Sequence, residues 1–373
     1  MRRAKPGERI EVAGSHAELG LHLRVWCRAN GHGFAPATGL GSDVRGTITP
    51  ALHHIDFPSE RSGGAAAEGV ADRPPPHWGL AGRSAEIELG GPVFDFGLVE
   101  KIELWTDDAA RLYARAAAAQ WDPETAIDWA APIDHDDEIE DAIVQVITYL
   151  IENETAALLV PARMLSRLHP HFREVMQLLA IQAADEARHI QVFTRRALLK
   201  RPALGLSTIG GQASLKTLLD EPDFALSAFL LSVMGEGSFL VLLDFLQRLA
   251  PDAITRRITR LAAQDEARHV AFGLAHLQRH AEGDPALRAR LAAATHRRHS
   301  ALAETAGLNA LVFEGLTLIA AGGVSPGQIG AGFAQVMQLQ ADMHAARRLS
   351  LMRLGFSEIE ADALSSLHTR NFM

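Results

Sequence analysis

The pentapeptide Asp185-Glu186-Ala187-Arg188-His189 recurs as Asp265-Glu266-Ala267-Arg268-His269, and both copies lie in stretches with helical character. A Glu and a His three residues apart on a helix project from one face and can share a metal ion. One such pair is weak evidence, because charged residues at that spacing usually decorate a solvated face. Two identical copies imply two equivalent helices facing a common centre. The competing structural reading is a buried Glu–Arg network built on Arg188 and Arg268, which explains neither histidine.

A dimetal centre of this kind also draws one carboxylate from each of two further helices. In an antiparallel helical hairpin, residues equally far from the turn lie at one height. Glu154 and Glu186 are symmetric about Pro170, and Glu236 and Glu266 about Pro251, and each proline sits in a break between helical runs. Glu152 competes with Glu154 on spacing alone. The alignment of Glu154-Thr-Ala with Glu236-Gly-Ser, small residues after each Glu, favours Glu154. Asp185 and Asp265 precede the motif glutamates and are placed to accept an imidazole N–H, which would fix the histidine tautomer. Arg188 and Arg268 are placed to pair with those aspartates. Gly235 and Gly237 flank Glu236 inside a helix, which suggests either a π-bulge or close helix packing. Phe193, Met234, Phe239 and Phe272 are candidates for a substrate pocket, although apolar residues at this spacing are more often plain core. His169 and His171, beside a turn proline, are expected to face solvent. His53, His54, His276 and His280 show no partner pattern.

The elements that must hold these residues are set by the hydrophobic pattern. Helical runs are expected over about 137–168, 171–200, 223–250 and 252–283, with a long connection over 201–222. Two tight hairpins joined by one crossover make a four-helix bundle of ferritin-like connectivity. Further helices are expected near 110–120, 286–305, 308–321, 327–354 and 357–368. Residues 1–95 are rich in Gly, Pro and His, and RIEV, LHLRVW and EIEL there read as short strands. The expected organisation is an irregular or β-containing region over 1–95, then a helical bundle over 96–373 with its metal-binding core at 137–283.

At these motifs the sequence resembles the ferritin-like di-iron carboxylate superfamily, and the paired Asp-Glu-x-Arg-His form is similar to that of monooxygenase hydroxylases. The resemblance covers 137–283, and 100–373 loosely. It implies Glu154, Glu186, His189, Glu236, Glu266 and His269 as ligands of two iron ions, with Mn/Fe also suited to the same donors. It implies activation of O2 and oxidation of a small organic substrate by hydroxylation, N-oxygenation or desaturation. The alternatives are a ferroxidase or iron-handling protein, and a metal-free structural bundle. Two departures narrow the choice. Phe193 stands where ribonucleotide reductase small subunits carry a radical tyrosine, and Leu240 stands where the monooxygenases carry a threonine.

Composition sets the outer bounds. With 36 Lys and Arg against 45 Asp and Glu, the net charge of −9 gives no footprint for nucleic acid. The single cysteine, Cys27, excludes iron–sulfur sites built within this chain. The electrons for oxygen chemistry are therefore expected from an external ferredoxin or reductase. Residues 224–246 are apolar enough to span a membrane. Glu236 at their centre favours a buried bundle helix, so no membrane partner is expected. Without an apolar leader segment the expected location is cytoplasmic. A homodimer is left open.

Overall fold

The computed structural model describes residues 4, 7–37, 44–50, 58–64, 69–303 and 310–367; His53 and His54 lie outside them. The chain divides into two units, Met1–Ser62 with Ser84–Pro92, and Gly63–Arg83 with Val93–Met373.

The smaller unit contains a three-stranded antiparallel sheet in the order β1 (Ile10–Ala13), β3 (Val44–Thr49), β2 (Gly33–Pro36), with helix α1 (Leu19–Ala29) between β1 and β2 in the chain. Strands β4 (Ser59–Arg61) and β5 (Glu86–Glu88) form a separate antiparallel pair. Strands therefore form in RIEV and EIEL, but LHLRVW is helical. Its apolar alternation coexists with a helical period, and Leu23 and Cys27, one turn apart, face Phe34 and Ile48 in a small core while Leu21 and Val25 stay exposed.

The larger unit is helical. Its centre is four long helical runs: α4 (Asp137–Leu165), α5 (Arg173–Ala197), a run made of α7 (Phe224–Ala228), a π-helical segment (Phe229–Glu236) and α8 (Gly237–Leu249), and α9 (Ala253–Gly283). The hairpins close where expected. A 3₁₀ turn at Pro170–Phe172 joins α4 to α5, and Asp252, after Pro251, caps α9 by accepting from the Thr255 amide. The crossover between hairpins carries a helix of its own, α6 (Ile209–Leu219). Gly210 and Gly211 argue against helix there, but the Thr208 side chain caps its start and the residues on one face are buried. Before the bundle come the short α2 (Lys101–Leu104) and α3 (Ala109–Ala118), which packs on α5 and α9. After it come α10 (Leu287–Ala303), α11 (Ala310–Ala321), α12 (Pro326–Arg353) and α13 (Glu358–Ser366).

Two helical runs, Asp137–Leu165 and Phe224–Leu249, are long and apolar enough to cross a membrane; 61% and 72% of their most apolar windows are buried within the protein. One continuous core joins their side chains to those of α9 to α13, including Leu150, Phe229, Leu242, Ile258, Leu316 and Val336. The turn histidines are part of the interior, against expectation. His169 and His171 are each 1% exposed. The His169 Nδ1 accepts from the His171 amide, and the His171 Nε2 accepts from the Ala71 amide at 2.9 Å, so each ring meets a backbone donor that the turn would otherwise leave unpaired.

Candidate dimetal centre

Six residues converge at mid-height of the four helical runs. Glu154 comes from α4, Glu186 and His189 from α5, Glu236 from the last position of the π segment, and Glu266 and His269 from α9. All six are buried. Glu154, Glu186, His189 and Glu266 each offer one ligand atom within 4.8 Å of the others, and so do Glu186, Glu236, Glu266 and His269. The two groups share Glu186 and Glu266. Two adjacent cation positions are thus outlined, each with its own Glu and His and with two glutamates common to both.

Glu152 is only half-buried and belongs to neither group, so helical phase decides between it and Glu154. The π segment decides the aim of Glu236. A π turn adds a residue to the helical repeat and rotates the side chains beyond it. Helix α9 presses close to this segment at Gly273, where an added Cβ would lie 2.6 Å from the Ser232 Cβ.

Each histidine turns its two nitrogens to different tasks. His189 Nε2 lies 3.1 Å from Asp265 Oδ2, and His269 Nε2 lies 3.3 Å from Asp185 Oδ2. Each motif aspartate therefore holds the histidine of the other motif. Successive helical residues point about 100° apart, so an aspartate beside an inward glutamate faces the neighbouring helix. An ionised aspartate only accepts, so Nε2 donates to it and Nδ1 is the nitrogen turned to the centre, available to a cation that displaces its proton. The Nδ1 atoms face carboxylates: His189 Nδ1 is 3.0 Å from Glu186 Oε2, and His269 Nδ1 is 3.0 Å from Glu186 Oε1.

The aspartates are themselves held. Arg188 reaches Asp185 at 2.5 Å and Asp265 at 2.8 Å, and Arg268 pairs with Asp265. Two residues just after α3 complete the frame: Trp121 Nε1 donates to Asp265 Oδ2 and Gln120 Nε2 donates to Asp185 Oδ1, both at 2.8 Å. The Arg188 guanidinium lies 4.6 Å from the Trp121 ring centroid. Glu236 Oε1 accepts from Gln182 Nε2 at 3.0 Å, one turn before Glu186. Nothing in the sequence pattern marks Gln120, Trp121 or Gln182.

The electrostatics of the centre call for added positive charge. With its six buried carboxylates ionised and both imidazoles neutral, the centre faces two guanidiniums with an excess of four negative charges, the charge of two divalent cations. Burial, and then the charge of Glu186, push the Glu154 carboxyl well above its usual range; burial and Glu266 do the same to Glu236. Burial works to lower both histidines but is outweighed, by Glu154 for His189 and by Glu186 for His269, and both rise well above the usual imidazole range. Glu154 Oε1 and Glu236 Oε2 are buried with no hydrogen-bond donor among the described residues. A proton network would satisfy such atoms with hydroxyls or amides. Carboxylate oxygens and imidazole Nδ1 atoms gathered this closely fit divalent first-row metal ions instead.

No protein-family model and no curated protein matches this sequence. Solved structures do match. A Synechococcus protein with aldehyde deformylating oxidase activity is 20% identical, with TM-score 0.44 over 61% of this chain and 96% of that one. An R2-like ligand-binding oxidase variant with an aerobically reconstituted Mn/Fe cofactor is 17% identical, with TM-score 0.51 over 68% of this chain and 95% of that one. A second variant of such an oxidase, with an anaerobically reconstituted Mn/Fe cofactor, is 16% identical, with TM-score 0.50 over 69% and 94%. The fold is ferritin-like.

Within this ferritin-like bundle, Glu154, Glu236 and Glu266 border a cavity of about 30 Å³ whose other walls include Ala157, Leu218, Leu231 and Phe239. That is room for one molecule the size of water or dioxygen. Of the aromatic and Met candidates, Phe239 lines this cavity, whereas Phe193, Met234 and Phe272 are buried core residues outside its lining.

Proposed function

We propose that this chain is an oxygen-dependent oxidoreductase whose dimetal centre, two iron ions or one manganese and one iron, is held by Glu154, Glu186, His189, Glu236, Glu266 and His269. One observation carries the reading: two buried four-residue ligand groups share Glu186 and Glu266, and Glu154 Oε1 and Glu236 Oε2, one in each group, have no hydrogen-bond partner among the described residues. Ions bound there would supply the redox chemistry that dioxygen and, through it, an organic molecule require. The Mn/Fe cofactors carried by the R2-like oxidases of similar fold support the choice of metals.

The protein's own residues set the conditions for that chemistry. Asp185 and Asp265 engage both Nε2 atoms and so keep Nδ1 of each ring pointed inward, where a cation would take the place of its proton. Arg188 and Arg268 hold those aspartates ionised, and Asp265 lies well below the usual carboxylate range, burial being outweighed by His189, Arg188 and Trp121. Gln182 fixes one oxygen of Glu236 and leaves the other free for a cation. Leu218, Leu231 and Phe239 give the cavity an apolar lining. An organic substrate needs these side chains to move aside, since the cavity itself admits little more than dioxygen. Electrons come from a separate ferredoxin or flavoprotein reductase.

The test is metal content of the purified chain, followed by the optical spectrum of the reduced protein as O2 is admitted. The expected result is two transition-metal ions per chain and a spectral change that consumes O2, both lost in Glu186→Ala and His269→Ala. Continued O2 uptake with Fe²⁺ as the only reductant, with iron accumulating on the protein, would instead establish a ferroxidase. A wild-type chain that binds no metal under iron- or manganese-rich conditions would leave a structural bundle.

A further inference from the structure

Arg298, on α10, is a cation buried without a counter-ion among the described residues. It is 5% exposed; its Nη2 donates to Ser214 Oγ on α6 at 3.1 Å, and its Nη1 is buried with no acceptor among those residues. By contrast, Arg196 is met by Glu140 and Asp252, and Arg347 by hydroxyl and carbonyl oxygens of Ser238 and Ser365. Burial pulls Arg298 down to about 10, and the one group opposing that fall is Tyr149, a phenol rather than an acid. Burying a charged donor without an acceptor is costly, so an orphaned donor on a buried cation calls for a partner, and a ligand that supplies the missing acceptor is one.

Its surroundings show where such a ligand would extend. Ser214 is one helical turn from Leu218 on the same face of α6. Tyr149 is one turn from Asn153 on α4, and Asn153 Nδ2 donates to the Tyr149 carbonyl at 2.7 Å. Leu218 and Asn153 both line the cavity beside Glu154, Glu236 and Glu266. Two independent helices thus lead from the Arg298 environment to the cavity, and the step from Tyr149 to Glu154 along α4 is about 7–8 Å. Leu218 and Leu231 are apolar parts of that cavity's lining.

We propose that Arg298 is the anchor for the acid group of an organic monocarboxylate substrate, whose apolar far end reaches the carboxylate–histidine centre. This rests on the oxidoreductase reading above. A single guanidinium balances a single negative charge; a phosphate dianion would leave net negative charge buried within two turns of Glu154. Ser214 and the free Nη1 together offer the paired donors that a planar carboxylate takes up well. Binding at this end would orient the substrate by its acid and leave its other end to be oxidised, with Leu218 and Leu231 moving to admit it.

Linear monocarboxylates from butanoate to dodecanoate and their primary amides, titrated calorimetrically into the full chain, test this. The wild-type chain is expected to bind one length of acid at least about tenfold more tightly than its amide. Arg298→Gln is expected to lose that preference while keeping its full metal content, and Arg298→Lys to retain part of it. Should Arg298→Gln fail to fold, Ser214→Ala serves instead, with acid binding weakened several-fold. Equal binding of acid and amide would overturn the proposal, leaving an arginine solvated by internal water. Acid binding unchanged in Arg298→Gln would overturn it too, by placing the acid on the metal ions. Titrations repeated on metal-free protein, with metal content measured separately, keep a failure of the dimetal reading distinct from a failure of the anchor.

Discussion

Arg196 and His189 lie seven residues apart on α5, both without measurable exposure, and each sits in a buried charged cluster. Around Arg196 every charge finds a partner. Its Nη1 and Nη2 meet the two Glu140 oxygens at 2.7 and 2.9 Å, Nη2 meets Asp252 at 2.9 Å, and Nε meets Thr255 Oγ1 at 2.9 Å. Asp252 in turn accepts from the Thr255 amide at 2.7 Å, and His135 completes Glu140. For Glu140, burial alone would raise the carboxyl, but Arg196 outweighs it and holds it low. Two turns away, around His189, carboxylates crowd together with lone pairs unmet and with Glu154 and Glu236 forced upward. The same helix thus carries one polar cluster that is complete within the chain and one that is completed by something added. Buried charge is no evidence of function by itself; the unmet valence is.

The largest test of this contrast is Arg196→Ala. It leaves Glu140 and Asp252 buried and uncompensated, which costs about 3–5 kcal/mol. The melting temperature should fall by roughly 10 °C. Metal content of the folded protein should not change, because no Arg196 partner touches the six-residue centre. A loss of bound metal at unchanged melting temperature would break the distinction between the two clusters.

A smaller effect is expected from Trp121→Phe, which removes the N–H donor to Asp265 and keeps most of the ring's packing. Asp265 then holds His189 less firmly, and metal affinity should fall by about 10–100-fold, read by competition with a chelator of known affinity. The metal-free melting temperature should move little. Equal losses in affinity and stability would make Trp121 a packing residue rather than a support for the histidine.

The contrast also explains how far the sequence could be read. The repeated pentapeptides, and the symmetry of Glu154 and Glu236 about Pro170 and Pro251, are local patterns tied to helix geometry, and they point to residues that the bundle brings together. The four long helices and those after α9 were legible for the same reason. Gln120 and Trp121 were not, because they reach Asp185 and Asp265 from 65 and 144 residues away along the chain, after a short alanine-rich helix with no chemical signature. His169 and His171 were misplaced because a proline turn usually lies at the surface; here both rings are buried and capture backbone donors. Residues 21–26 carry two periodicities at once, and tertiary contact through Leu23 and Cys27 selects the helix. Arg298 shows no pattern at all, since an orphaned cation is visible only once its neighbours are in place.

The smallest expected effect separates the clusters by sign. Glu154→Gln places an amide where burial and Glu186 already favour a neutral acid. In metal-free protein near neutral pH the substitution is therefore close to isosteric and isoelectronic, and stability should change by less than about 1 kcal/mol, in the stabilising direction if Glu154 retains any charge. Removing a carboxylate from the Arg196 cluster, as in Glu140→Gln, should instead destabilise, since it takes away half of a salt bridge whose acid is ionised. Thermal melts of the two variants in chelator should thus diverge, and adding Fe²⁺ or Mn²⁺ anaerobically should raise the melting temperature of Glu140→Gln far more than that of Glu154→Gln. If Glu154→Gln destabilised the metal-free protein as strongly as Glu140→Gln, its carboxylate would be a structural charge, and the centre would belong with the Arg196 network as a completed ion-pair cluster.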